Sequence, residues 1–262
     1  MHVAALYHYP VKSLCGQAVD VLRLDALGPL DDRRWMLVDA AGTFVTQRMH
    51  GQLVRIRARS DGVQLQLNLP DGQILGFEAS DVQVSVRVWR DEVPALLATG
   101  PSETLSAYLG VPVRLVRLPD APVRRIDPAR VPEERFVGFA DGFPILVTHQ
   151  ASLAAVESWV GRPLDMRRFR PNIVIAGAEP FAEDHWQSLQ IGEVVLDLVK
   201  PCSRCVMTTV DPDTGVREAD GQPLKALSLH RKTAEGVIFG QNALHRTPGV
   251  LRVGDPVRVL AR

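Results

Sequence analysis

The chain has 262 residues, 46% hydrophobic and 23% charged. That is ordinary globular material, long enough for one large domain or two modest ones. Its 30 Lys and Arg balance its 30 Asp and Glu, which argues against a broad nucleic-acid or anionic-membrane surface. Three cysteines give no disulfide framework. No apolar run reaches the ~18 residues of a membrane helix, and the opening residues lack the pattern of a secretory leader. The expected setting is the reducing cytoplasm, with neither membrane nor nucleic acid as a partner.

The first part of the chain reads as β-rich. Val54–Ala58 alternates apolar and basic residues, Ser60-Asp61-Gly62 turns the chain, Val63–Leu69 alternates again, and Pro70-Asp71-Gly72 supplies the next turn. This is a hairpin or meander with one wet face. Val82–Trp89 is another period-2 strand, and short strands at this spacing suggest a small barrel or sandwich. A helix is predicted with Ser102 as cap, Leu105 and Leu109 on one face and Gly110 as its stop. Val113–Val116 returns to strand. Pro119–Glu134, rich in Pro, Arg and Asp, reads as a linker or an active-site loop. Beyond it, Pro144–Val147 is a short buried strand. Thr148 is placed to cap a helix over Ala151–Val160, with Leu153, Val156 and Val160 on its apolar face. Further strands are expected at Asn172–Ile175, Val194–Val199, Val206–Val210, Val250–Val253 and Val257–Leu260.

Cys202-Ser203-Arg204-Cys205 is the densest chemistry in the chain. A zinc site would want a second ligand pair. A thioredoxin-type dithiol would open a helix, whereas a strand is expected after Cys205. Lys200, Ser203 and Arg204 surround the thiols with groups that favour a thiolate and also bind phosphate. Polar clusters of the same kind sit at other strand boundaries: Tyr9-Pro10-Val11-Lys12-Ser13, Asp32-Arg33-Arg34-Trp35 and Arg168-Phe169-Arg170-Pro171-Asn172.

Those clusters, together with the fourteen-residue stretch Cys202–Gly215 that ends in Asp211-Pro212-Asp213-Thr214-Gly215, Phe239-Gly240-Gln241 and Val253-Gly254-Asp255-Pro256-Val257, resemble the MOSC family. The similarity is to the branch that holds the mitochondrial amidoxime-reducing components and their bacterial relatives. The resemblance implies a mixed, predominantly β fold with helices: an N-terminal β-barrel domain over 1–118 and a MOSC-type β-barrel domain over 119–262. It implies a molybdenum cofactor, a Mo-pyranopterin, between them. By position in the motifs, Cys205 matches the metal ligand, and Cys202 matches none. Lys12, Ser13, Arg33, Arg170, Asn172, Ser203 and Arg204 match residues that hold the pterin and its phosphate. Asp141 matches an acidic residue near the metal, with a possible part in proton relay.

The implied activity is reduction of small N-hydroxylated compounds, amidoximes and hydroxylamines. The alternative is a non-catalytic cofactor or sulfur carrier. Some bacterial members carry a ferredoxin-like domain with four cysteines, which three cysteines cannot reproduce. Electrons are therefore expected from a separate donor protein of ferredoxin, flavin or cytochrome b5 type. Pro119–Gly138 is expected to line the substrate pocket.

Overall fold

The computed structural model describes residues 1–260. The fold is predominantly β and rests on two large sheets. In the first, strands run in the order Trp35–Val38, Arg114–Arg117, Asp91–Thr99, Ile74–Val88, Gln64–Asn68 and Arg57–Ser60. Leu65, Leu67 and Leu69 point into its core while Gln64 and Gln66 face water, as the alternation requires. Burying one leucine stabilises by about 1.5–3 kcal/mol. A one-residue slip would turn three of them outward, so register is fixed.

The second sheet orders Val257–Leu260, Ser188–Ile191, Val194–Ser203, Gly236–His245, Ile145–His149, Ile173–Ala176, His2–His8 and Gln17–Val19, with Lys232–Thr233 pairing beside Gly236–His245. The first strand of the chain is thus built into the later sheet, with Leu6 opposite Ile173. One pair, Ile145–His149 with Ile173–Ala176, is parallel. A parallel pair needs a crossover, and helix Gln150–Val160 supplies it.

Several local expectations change. Gly51–Arg55 is a 3-10 turn and the strand starts at Arg57. Ser102 lies inside its helix rather than capping it, although Gly110 ends that helix at φ +72° as expected. His149, not Thr148, caps Gln150–Val160, its Nδ1 accepting from the Ala151 amide at 3.2 Å. Val206–Thr209 is a 3-10 helix instead of a strand. Its β-branched residues suggested a strand, but the Cys205 carbonyl accepts from both the amide and the hydroxyl of Thr208, at 3.1 and 3.0 Å, and turns the chain.

Candidate functional site

Three of the polar clusters fold into one network. The turn after Tyr9 is stitched to the neighbouring strand by Lys12 N to Trp35 O at 2.8 Å and Arg33 N to Tyr9 O at 2.6 Å. Asp32 accepts from the Tyr9 amide at 2.8 Å, from Asn172 Nδ2 at 3.2 Å and from Arg33 Nη1 at 2.5 Å. Asn172, 1% exposed, also accepts from Arg33 Nη1 at 3.2 Å. The Tyr9 ring lies 4.2 Å from the Arg33 guanidinium and 4.3 Å from that of Arg170, an arrangement of cation–π contacts. Arg170 Nη1 donates to the Leu14 carbonyl at 2.6 Å. Burial, then Arg33, pushes the Arg170 guanidinium down to about 10, which leaves it charged at neutral pH.

The cysteine stretch arrives on Val194–Ser203. Opposite Pro201 and Ser203 the partner strand carries an extra residue, with Gly240 at φ +77°. Such bulges re-aim side chains beside functional sites. A Cβ on Gly240 would meet the Val147 carbonyl oxygen at 2.7 Å, so glycine is required. Arg204 is fixed by Nη2 donating to the Phe169 carbonyl and Nη1 to Cys202 Sγ, both at 2.8 Å. Behind it, Gly215 rests against the backbone of Gly51: a Cβ there would lie 2.8 Å from the Gly51 carbonyl oxygen. The Asp211–Gly215 loop is therefore seated on the first half of the chain.

Lys12, Ser13, Arg33, Asp141, Arg170, Asn172, Ser203, Arg204 and Cys205 all line one cavity of about 400 Å³. Cys202 lines it too. The lining is strongly cationic, with Arg48, Arg168 and Lys200 added to the predicted basic residues. Arg168 is held by Asp211 at 2.9 Å and Glu218 at 2.7 Å, and Lys200 by Glu235 at 3.0 Å. Arg168 Nε and Nη1, Arg170 Nη2 and Arg204 Nε are buried without a hydrogen-bond partner. This donor surplus suits an anionic group with several acceptor oxygens. Six non-glycine residues among those described have positive φ, and four of them, Ser13, Arg33, Trp89 and Arg170, line this cavity. Strain of this kind collects at ligand sites.

Among the described residues, Asp141 is the one acidic side chain in the lining. Its carboxylate accepts from Lys12 Nζ at 2.5 Å, Trp89 Nε1 at 3.3 Å and Arg48 Nη2 at 3.4 Å. Partial enclosure opposes its ionisation, but the Lys12 ammonium outweighs this and, with Arg48, holds the carboxyl well below the usual range. Its side chain is 58% exposed, so water at the cavity wall screens part of that effect. Burial pulls Lys12 down to about 8, with Asp141 offsetting part of the shift.

On this segment the lining of the cavity starts at Ala140, and Pro119–Gly138 is not part of that lining. That loop acts indirectly. Arg124 donates to the carbonyls of Gly138 at 3.0 Å, Ala140 at 2.5 Å and Asp141 at 3.1 Å, and so sets the backbone that carries Asp141. The sequence reading did not single out Arg48, Trp89 or Met207 for the lining. Arg48 follows no readable pattern, Met207 is an unspecified position of the Cys202–Gly215 stretch, and Trp89 reads only as the end of a strand.

Residues 1–112 match the MOSC N-terminal beta barrel domain, and residues 134–258 match the MOSC domain. The chain belongs to the MOSC family. It is 34% identical to human mitochondrial amidoxime-reducing component 1, across 99% of this chain and 83% of that protein. It is 35% identical to the Danio rerio component 1, across 97% and 83%, and 32% identical to human component 2, across 97% and 82%. No helix among the described residues is long and apolar enough to cross a membrane.

Proposed function

We propose that the protein is a molybdenum cofactor-dependent oxidoreductase that reduces N-hydroxylated compounds, amidoximes and hydroxylamines, with electrons from a separate donor protein. The observation that carries this reading is the meeting of the Cys205 thiol, with Cys202 beside it, and a surplus of unsatisfied cationic donors in a single cavity. A soft thiolate suits molybdenum, and the guanidinium and hydroxyl groups suit a pterin phosphate. Among the described residues no three His, Cys, Asp or Glu side chains cluster as a metal site, so these side chains would not by themselves make up a full ligand set.

In this reading Cys205 is the protein ligand to the metal. Arg33, Arg170, Asn172, Ser203, Arg204 and Ser13 hold the pterin and its phosphate. When bound, the cofactor supplies the two-electron chemistry that cleaves the N–O bond. The balance is an N-hydroxylated compound plus two electrons and two protons, giving the amine or amidine and water. Asp141, kept ionised, serves as a fixed acceptor that orients Lys12 rather than as an acid. Lys12 gives one N–H to the Phe139 carbonyl at 2.7 Å and one to Asp141. Its third N–H is left for a ligand.

Metal and pterin analysis of cofactor-replete protein tests the reading, with turnover of an amidoxime by an artificial electron donor. About one molybdenum per chain, turnover, and loss of the metal without loss of fold in Cys205→Ala are expected. Iron or zinc without pterin would overturn it. Molybdenum without turnover, passed on to an apo-enzyme, would make the protein a carrier.

A further inference from the structure

Trp89 forms, with Arg90, the two-residue tip between strands Ile74–Val88 and Asp91–Thr99. Its φ is +59°. Tips that need positive φ are ordinarily Gly, Asn or Asp, and a bulky aromatic there is an outlier. The hairpin does not depend on the indole, because Val86 pairs with Val93 and Val88 with Asp91 in unbroken register, and glycine would close the same turn unstrained.

The side chain is nonetheless held in place. Its Nε1 donates to Asp141 at 3.3 Å, the Arg48 guanidinium lies 4.5 Å from its ring, and Phe44 packs at 5.1 Å. It lines the cavity and is still 43% exposed. A strained, oriented and partly uncovered indole on a cavity wall offers a flat apolar surface to whatever enters.

We propose that Trp89 is the specificity-determining residue of the cavity and packs against the ring of aryl-bearing N-hydroxylated substrates. The proposal rests on the reductase reading above and names the substrate class within it. The test compares wild type with Trp89→Gly in cofactor-loaded protein, using benzamidoxime and acetamidoxime. Glycine relieves the backbone but gives up the indole's contacts with Asp141, Arg48 and Phe44, so thermal unfolding is measured for both proteins, and the readout is a ratio of two compounds on the same variant, which a folding loss leaves unchanged. The ratio of kcat/KM for the aryl over the alkyl compound is expected to fall about tenfold, the scale of one lost apolar contact. A ratio unchanged within twofold would overturn the proposal.

Tryptophan fluorescence gives a readout independent of turnover. Benzamidoxime is expected to quench wild type and not the variant, and equal quenching in both would also overturn the proposal. If wild type reduces neither compound but the quench depends on Trp89, the reductase reading falls and the aryl contact stands. If both compounds turn over with no change in ratio, the reverse holds.

Discussion

Lys12 and Asp141, 129 residues apart, meet as an ion pair of 2.5 Å in which the ammonium side chain is 6% exposed and the carboxylate 58% exposed. The two partners therefore stand differently toward water, and removing one is not equivalent to removing the other.

Asp141→Asn leaves a buried ammonium with the Phe139 carbonyl as its neutral partner. A loss of about 1–2 kcal/mol is expected, below the cost of breaking a fully buried pair because water screens the carboxylate. Lys12→Met removes the buried charge in a side chain of similar bulk and should stay within about 1 kcal/mol of wild type. Urea unfolding checks the order, and a larger loss in Lys12→Met would contradict it. The pH sign follows from Lys12 lying at about 8 in the fold against 10.5 unfolded. The folded state sheds its proton first, so wild type gains stability as pH rises between these values, and Lys12→Met lacks that gain.

Glu183 is fully buried, with Ser152 Oγ donating to it at 2.8 Å and its other oxygen unpaired. Burial raises its pKa from 4.5 to about 7. A raised carboxyl contributes stability that is complete below 4.5 and lost as pH rises through 7, at most about 3 kcal/mol. Glu183→Gln keeps a neutral acceptor for Ser152. The difference in unfolding free energy between variant and wild type should grow in the variant's favour from pH 5 to pH 8. A difference that does not change with pH would show that Glu183 titrates normally.

Gly240→Ala places a Cβ 2.7 Å from the Val147 carbonyl oxygen and 2.8 Å from Thr148 Cγ2, on a backbone at φ +77°. The expected loss is about 2 kcal/mol or more, read by thermal unfolding. The bulge also aims the strand that carries Cys202 and Ser203, so cofactor content should fall beyond what the stability loss explains.

Much of this architecture was legible in the chain because its signals are local. The Val63–Leu69 alternation and the Gly110 stop depend on neighbours a few residues away, and both appear in the structure. The misread elements turn on which of several near neighbours makes the hydrogen bond, a choice that residue preference alone does not rank. The ring of His149 displaced Thr148 as the helix cap, and the Thr208 contacts to the Cys205 carbonyl wound a β-branched run into a 3-10 turn. Arg48 and Trp89 had no periodic or motif context that could have placed them in the cavity.

The donor chemistry was set by residue type: thiols at Cys202 and Cys205 close to Lys200 and Arg204, and Lys, Arg, Asn and Ser at strand boundaries. Side-chain identity carries that information without any fold. The meeting of Lys12, Arg33, Asp141, Arg170 and Cys205 in one cavity was decided only in three dimensions, because it depends on sheet register summed over the whole chain. The ionised state of Asp141 and the strained pose of Trp89 were decided there as well. The first follows from the field of Lys12 and Arg48, distant in the chain, and the second from a backbone dihedral that no side-chain pattern records.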